Sequence, residues 1–218
     1  MKIKCLVLDH DDTLVRSAET VNFPALLESL RENHPDRLIS YEEFNRYCFQ
    51  MQYTGMCRNI LKLTDEEIDA QFERWKVYVR DHVPPAYDGI REILQQARSA
   101  GCLICVSSHS GIENITRDYR LNFGFEPDAI YAWELGEELR KPHPFTLQDI
   151  MRRFSLQPEE LLMVDDMKGG YDMAKACGVP FACAGWSHDL PEIRDYMKQN
   201  CDIYFETVDD FKKYLFGT

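Results

Sequence analysis

No apolar run in this 218-residue sequence approaches the ~20 residues that a bilayer-spanning helix needs. The first apolar run, Cys5-Leu-Val-Leu8, meets Asp9 at once, which is not a secretory pattern. Basic charge is the scarcer sign: Lys and Arg total 25 against 37 Asp and Glu, a formal net charge of −12. Such a chain lacks the basic face that phosphate backbones and anionic lipids require, so neither nucleic acid nor membrane is an expected partner. Internal repeats and low-complexity segments are lacking as well. Cysteine, in contrast, is plentiful, but the 8 residues are scattered without a framework spacing. In a chain of this size without a leader they read as buried free thiols, and the expected compartment is the cytoplasm. What remains, 44% hydrophobic and 28% charged residues, fits a globular protein of one large domain or one domain with an insert.

Short, nearly continuous apolar runs at 3–8, 103–106, 161–164, 181–184 and, more weakly, 203–205 predict strands covered on both faces. Helical patterns lie between them. Ile90, Ile93, Leu94 and Ala97 form one apolar stripe that Gly101 closes, and 111–123, 144–154, 169–177 and 190–199 form others. This alternation predicts a doubly wound, mainly parallel α/β sheet of the Rossmann type. Residues 17–84 differ: they carry no convincing strand, and Ser40-Tyr-Glu-Glu43 and Thr64-Asp-Glu-Glu67 both fit a capping box. Pro84-Pro85 then ends the stretch. The expected organisation is an α/β core of 1–16 and 85–218, with an all-helical insert at 17–84.

Asp9-His-Asp-Asp-Thr13 directly follows the first strand. In an open parallel sheet, ligands bind at the carboxyl ends of strands, and alternation lets Asp9 and Asp11 converge while His10 turns away. Three carboxylates within four residues repel one another unless a cation or solvent intervenes, so the cluster is either a hard-metal site or a solvated acidic turn. Met163-Val-Asp-Asp166 is a second strand ending in paired acids, which favours a metal site assembled across neighbouring strands. Val106-Ser-Ser-His109 is a third strand end, bearing hydroxyls suited to an anion, and Arg140-Lys-Pro-His143 supplies a cation.

These segments, in this order, resemble the four motifs of the haloacid dehalogenase-like superfamily, specifically its aspartate-nucleophile phosphatases with a helical type 1 cap. The first is D-x-D-x-T at Asp9–Thr13, the second the strand end at Ser107, the third Lys141-Pro142. The fourth is Asp165-Asp166 with the helix running to Ala176-Cys-Gly178. The resemblance implies a Mg²⁺-dependent phosphomonoester hydrolase acting on a small soluble ester through an aspartyl-phosphate. Asp9 would be the nucleophile and a metal ligand. Asp11 would be the acid and base, and would offer its main-chain carbonyl to the metal. Ser107 and the Ser108 amide, with Lys141, would hold the phosphoryl group; Asp166, supported by Asp165, would complete the metal site. A β-phosphoglucomutase-like mutase and a slow phosphate-binding regulatory protein remain alternatives. The sequence departs from the family pattern at Asp12, where glycine is usual, at Ser108-His109 after Ser107, and at Arg16.

Other chemistry-bearing residues have simpler readings. Cys102-Leu-Ile-Cys105 matches C-x-x-C, but on a strand the two thiols face opposite sides and no second pair stands at zinc spacing. His109 and His143 read as loop residues beside the site, and Lys168 as a helix-start surface lysine. Trp75 and Val79 read as core of the helical insert. Tyr53-Thr-Gly-Met-Cys-Arg58 is a glycine-containing break, and Arg58 is a candidate for a second anionic group or an ordinary surface ion pair.

Overall fold

The apolar runs become strands where they can be covered on both faces. In the computed structural model, which describes residues 3–217, six parallel strands form one sheet. They are β1 (Cys5–Leu8), β2 (Leu103–Ser107), β3 (Ala129–Tyr131), β4 (Leu161–Asp165), β5 (Phe181–Ala184) and β6 (Ile203–Phe205). Their order is β3-β2-β1-β4-β5-β6, the doubly wound arrangement whose ligand crevice lies where the order reverses. β1 is therefore central, and its register sets Leu8 beside Val106 of β2 and Val164 of β4. The residues that follow these three strands leave the sheet side by side at its carboxyl edge.

The helices of this unit are α4 (Ile90–Ser99), α5 (Ile112–Asp118, continued by a π turn to Phe123), α6 (Phe145–Phe154), α7 (Lys168–Cys177), α8 (Pro191–Asn200) and α9 (Val208–Phe216). The stripe Ile90, Ile93, Leu94 and Ala97 packs with Leu6, Leu8, Ile104, Val106, Leu162 and Val164 in one buried cluster. At its end, Gly101 takes φ +81, a left-handed conformation that stops the helix cheaply only in glycine. β3, a three-residue edge strand, was not among the expected strands.

Contacts divide the chain into two compact units, 1–16 with 85–218, and 17–84. The second comprises α1 (Phe23–Asn33, entered by a π turn), α2 (Tyr41–Asn59) and α3 (Asp65–Asp81), with no strand among the described residues. Both capping boxes form: Ser40 with Glu43 and Thr64 with Glu67 each exchange side-chain and backbone hydrogen bonds. Leu26, Leu30, Phe44, Met56, Cys57, Leu61 and Ile68 make its core, and Trp75 donates to Asn22 at 2.8 Å. The break in α2 falls at Gln52 (φ 64°, ψ 168°), not at the glycine three residues on. Gly55 stays helical, and a Cβ there would press on the Met51 side chain at 3.1 Å. No helix among the described residues is long and apolar enough to cross a membrane.

Candidate active site

The end of β1 is shaped by its own backbone. Asp9 N–H still donates to Val164 O in the sheet, after which Leu14 and Val15 N–H both turn back to His10 O. Asp12 sits in this turn at φ +55, the left-handed region, and its N–H donates to Val15 O at 2.8 Å. His10 turns away from the carboxylates, as strand alternation predicts, and meets Asp118 Oδ2 at 3.1 Å. Arg16 lies over the Tyr87 ring, 5.0 Å from its centroid.

Asp9, from β1, and Asp165, the last residue of β4, are joined by Lys141 from the loop before α6. Lys141 Nζ lies 2.8 Å from Asp9 Oδ1 and 2.5 Å from Asp165 Oδ2. Asp165 Oδ1 accepts the Met167 N–H at 2.7 Å, which fixes its rotamer from the other side. Oxygen atoms of Asp9, Asp165 and Asp166 lie within 4.8 Å of one another, all three residues buried. An all-carboxylate donor set of this size suits a hard divalent ion such as Mg²⁺. The electrostatics agree. Burial pushes the Asp9 carboxyl well above the usual range; Lys141 opposes that, while Asp165, Asp166 and Asp11 reinforce it. Burial likewise outweighs Lys141 at Asp165 and pushes it up to about 6. Burial disfavours the Lys141 ammonium, yet Asp165 and Asp9 hold its pKa above the usual lysine value. Two of the three buried acids, Asp9 and Asp165, thus share the Lys141 ammonium, and a bound divalent cation would relieve the cluster.

Ser107 ends β2 and Ser108 follows it, both buried. Ser107 is in register with Tyr131 of β3, and the Ser108 N–H donates to Tyr131 O at 2.9 Å. The Ser108 amide, expected at the phosphoryl group, is bonded within the sheet here. Its hydroxyl faces the site, with Oγ donating to Asp11 Oδ2 at 3.3 Å and accepting from Ser110 N–H at 3.2 Å. The Asp11 carboxylate belongs to neither cluster of metal-ligating atoms among the described residues.

The other candidates are placed as follows. His109 Nε2 donates to Lys141 O at 3.1 Å; burial, with Lys141 and Arg140, pushes its pKa down to about 3, so the ring is neutral. His143 Nδ1 accepts the Phe145 N–H at the start of α6. Lys168 pairs with Asp172 one turn along α7. Arg58 Nε meets Asp65 Oδ1 at 2.8 Å, an exposed ion pair. All 8 cysteines are free thiols, and burial raises Cys102 to about 11, far from a reactive thiolate.

Sequence reasoning missed His188, which follows β5 and donates from Nε2 to Asp166 Oδ2 at 2.5 Å. Nothing in its spacing marks it. Burial lowers the His188 pKa, but the hydrogen bond and charge of Asp166, with Asp12, outweigh it and leave the pKa raised. Thr13, the last residue of D-x-D-x-T, donates to Asp166 Oδ1 at 3.1 Å.

Gly170, in the first turn of α7, is required by close approach: a Cβ there would collide with the Asp165 carboxylate. Asp165 cannot swing away without losing Lys141 and the Met167 N–H. Gly170→Ala is therefore expected to cost roughly 1–3 kcal/mol of stability, the range for overpacking a filled core, and to weaken divalent-ion binding. Denaturant melts and a metal titration read this directly; an alanine variant matching the wild type in both would refute the steric argument.

Three comparisons bear on this geometry. The chain is 26% identical over 161 residues to a phosphoglycolate phosphatase of Haemophilus influenzae (strain 86-028NP), covering 70% of this chain and 67% of that protein. It is 20% identical over 192 residues to pyrophosphatase PpaX of Bacillus cereus (strain Q1), covering 86% and 85%. Its fold matches the crystal structure of CbbY from Rhodobacter sphaeroides in complex with phosphate, with a TM-score of 0.75, 20% identity and 94% of each chain covered. The model of the haloacid dehalogenase-like hydrolases matches residues 3–178, most of the length, with the three strand-end segments and the Lys141 loop inside it. The chain belongs to the haloacid dehalogenase-like hydrolase family and is an enzyme of its phosphatase kind.

Proposed function

We propose that this enzyme hydrolyses a small soluble phosphate monoester, with Mg²⁺ as cofactor, through a phosphoryl group carried on Asp9. The observation that carries the reading is Lys141 spanning Asp9 and Asp165, with Ser108 and Asp11 alongside. Asp9, Asp166, the Asp11 carbonyl and, in support, Asp165 would hold the ion, which when bound supplies charge neutralisation at the transferred phosphoryl oxygens. An Asp9 carboxylate oxygen attacks phosphorus as the ester P–O bond breaks. Asp11 delivers a proton to the departing oxygen, then takes one from the water that cleaves the acyl-phosphate. Lys141 balances the growing negative charge, and the Ser108 hydroxyl, with Ser107 beside it, orients the phosphoryl oxygens. The same reading assigns the chemistry to 1–16 and 85–218 and substrate choice to the helical unit 17–84. It places the enzyme in the cytoplasm, where 8 free thiols stay reduced.

The test is phosphate release from a panel of sugar phosphates, phosphoglycolate, nucleotides and an aryl phosphate. Ester consumed without free phosphate would make the enzyme a mutase. Turnover should stop on chelation and return with Mg²⁺, while Ca²⁺ should inhibit. Ca²⁺ takes more oxygen ligands at longer distances, so at this site it would compete for the Asp9 oxygen that must attack. Full activity in excess chelator would refute the role given to the carboxylates.

A further inference from the structure

Asp166 has a carboxylate held at both oxygens, by Thr13 on one and by His188 on the other. His188 is the end of a short clamp. Trp186, stacked on Phe211 of α9 with ring centroids 6.0 Å apart, donates from Nε1 to Thr13 O at 3.2 Å. Ser187 Oγ bonds to Asp12 O and, at 2.9 Å, to Ala184 O. Three consecutive side chains after β5 thus grip the turn after β1 and the acid after β4.

The clamp falls where this chain departs from its family pattern, at Asp12. A non-glycine residue at φ +55 is strained, and here it also buries a second carboxyl group near Asp166. His188 lies within 4.8 Å of ligand atoms of both acids. A second metal bound by Asp12, Asp166 and His188 fits this geometry poorly. Two ligand atoms on one ion at ~2.1 Å stand about 3 Å apart with the ion between them. The 2.5 Å from Nε2 to Oδ2 is a direct charge-assisted hydrogen bond instead.

We propose that His188 is a positioning residue, which holds the Asp166 carboxylate toward Asp9 and Asp165 and so presets the divalent-ion site. The inference rests on the metal reading above. Partners of metal ligands typically contribute 10–100-fold in metal affinity, because a ligand free to rotate must be ordered on binding.

The experiment is Mn²⁺ binding to the metal-free protein, followed by electron paramagnetic resonance and by competition with Mg²⁺. It needs no turnover. His188→Leu, which keeps bulk but removes the donor, should bind Mn²⁺ about 10–100-fold more weakly. His188→Gln, which keeps a donor, should recover most of that loss. A thermal melt of each variant accompanies the titration, with His188→Phe as the second donor-less variant should the leucine variant not fold. Unchanged or tighter Mn²⁺ binding in the donor-less variant overturns the proposal, as does a glutamine variant as weak as the leucine one. Wild-type affinity that survives Asp166→Asn would overturn the metal reading itself, and the inference with it.

Discussion

Asp9→Asn is expected to abolish turnover of an aryl phosphate, by ~10⁴-fold or more, and to leave no phosphoprotein, since an amide cannot supply the attacking oxygen anion. Asp11→Asn should behave differently. Its carboxylate serves twice, and loss of a positioned acid or base costs typically ~10²–10⁴-fold. An aryl phosphate needs little protonation to depart, because phenolate is already a stable leaving group. Hydrolysis of the phosphoenzyme then becomes the slow half. The Asp11 variant should release about one equivalent of phenolate per site in a burst and accumulate an acid-stable phosphoprotein. The structure sharpens this contrast: Asp9 is buried against Lys141, whereas the Asp11 carboxylate lies outside the acidic cluster, beside the Ser108 hydroxyl. Rapid-quench kinetics with mass spectrometry of the trapped protein checks both halves. A phosphoenzyme in Asp9→Asn, or normal steady-state turnover in Asp11→Asn, would move the chemistry to other residues.

Lys141→Met keeps the volume of the side chain and removes the one ammonium between two buried acids. Breaking a buried ion pair by removing one partner costs roughly 3–5 kcal/mol, because the remaining charge is left uncompensated. At pH 7 in chelator the variant should lose stability on that scale. Divalent ions should return part of it, more than they add to the wild type, since they replace the missing charge. The pH dependence has a definite sign. Asp9 and Asp165 both have folded-state pKa values raised above those of the unfolded chain, Asp165 to about 6 even with Lys141 present. The folded state therefore binds more protons than the unfolded one, and stability falls as pH rises from about 4, the unfolded value, through the folded pKa. The deficit of Lys141→Met should accordingly shrink as the pH is lowered from 7 toward 5. Turnover should drop by about 10²–10³-fold, as for loss of one preorganised group facing the transition-state charge. Urea melts across pH, with and without Mg²⁺, decide the matter. A variant as stable as the wild type in chelator would show that the acids do not depend on Lys141.

What the sequence determined by itself was whatever depends on neighbours within a few residues. The apolar runs of β1, β2, β4 and β5 stood out because parallel strands buried on both faces need apolar residues throughout, and the edge strand β6 showed more weakly. The capping boxes at Ser40 and Thr64 were legible because each is closed within four residues. The strand-end acids were visible because a charged residue directly after such a run can only lie at a sheet edge. Tertiary structure decided the rest. β3 exists because β2 offers it an edge, and that pairing takes the Ser108 N–H and leaves its hydroxyl for the site. The α2 break stands at Gln52 while Gly55 stays helical, which no local preference for glycine breaks reveals. Lys141 reaches Asp165 across 24 residues of chain and also Asp9 from the other end of the sequence, and His188 reaches Asp166 across 22. Those separations carry no periodic signal; loop paths and strand register bring the atoms together, and only the folded chain specifies them.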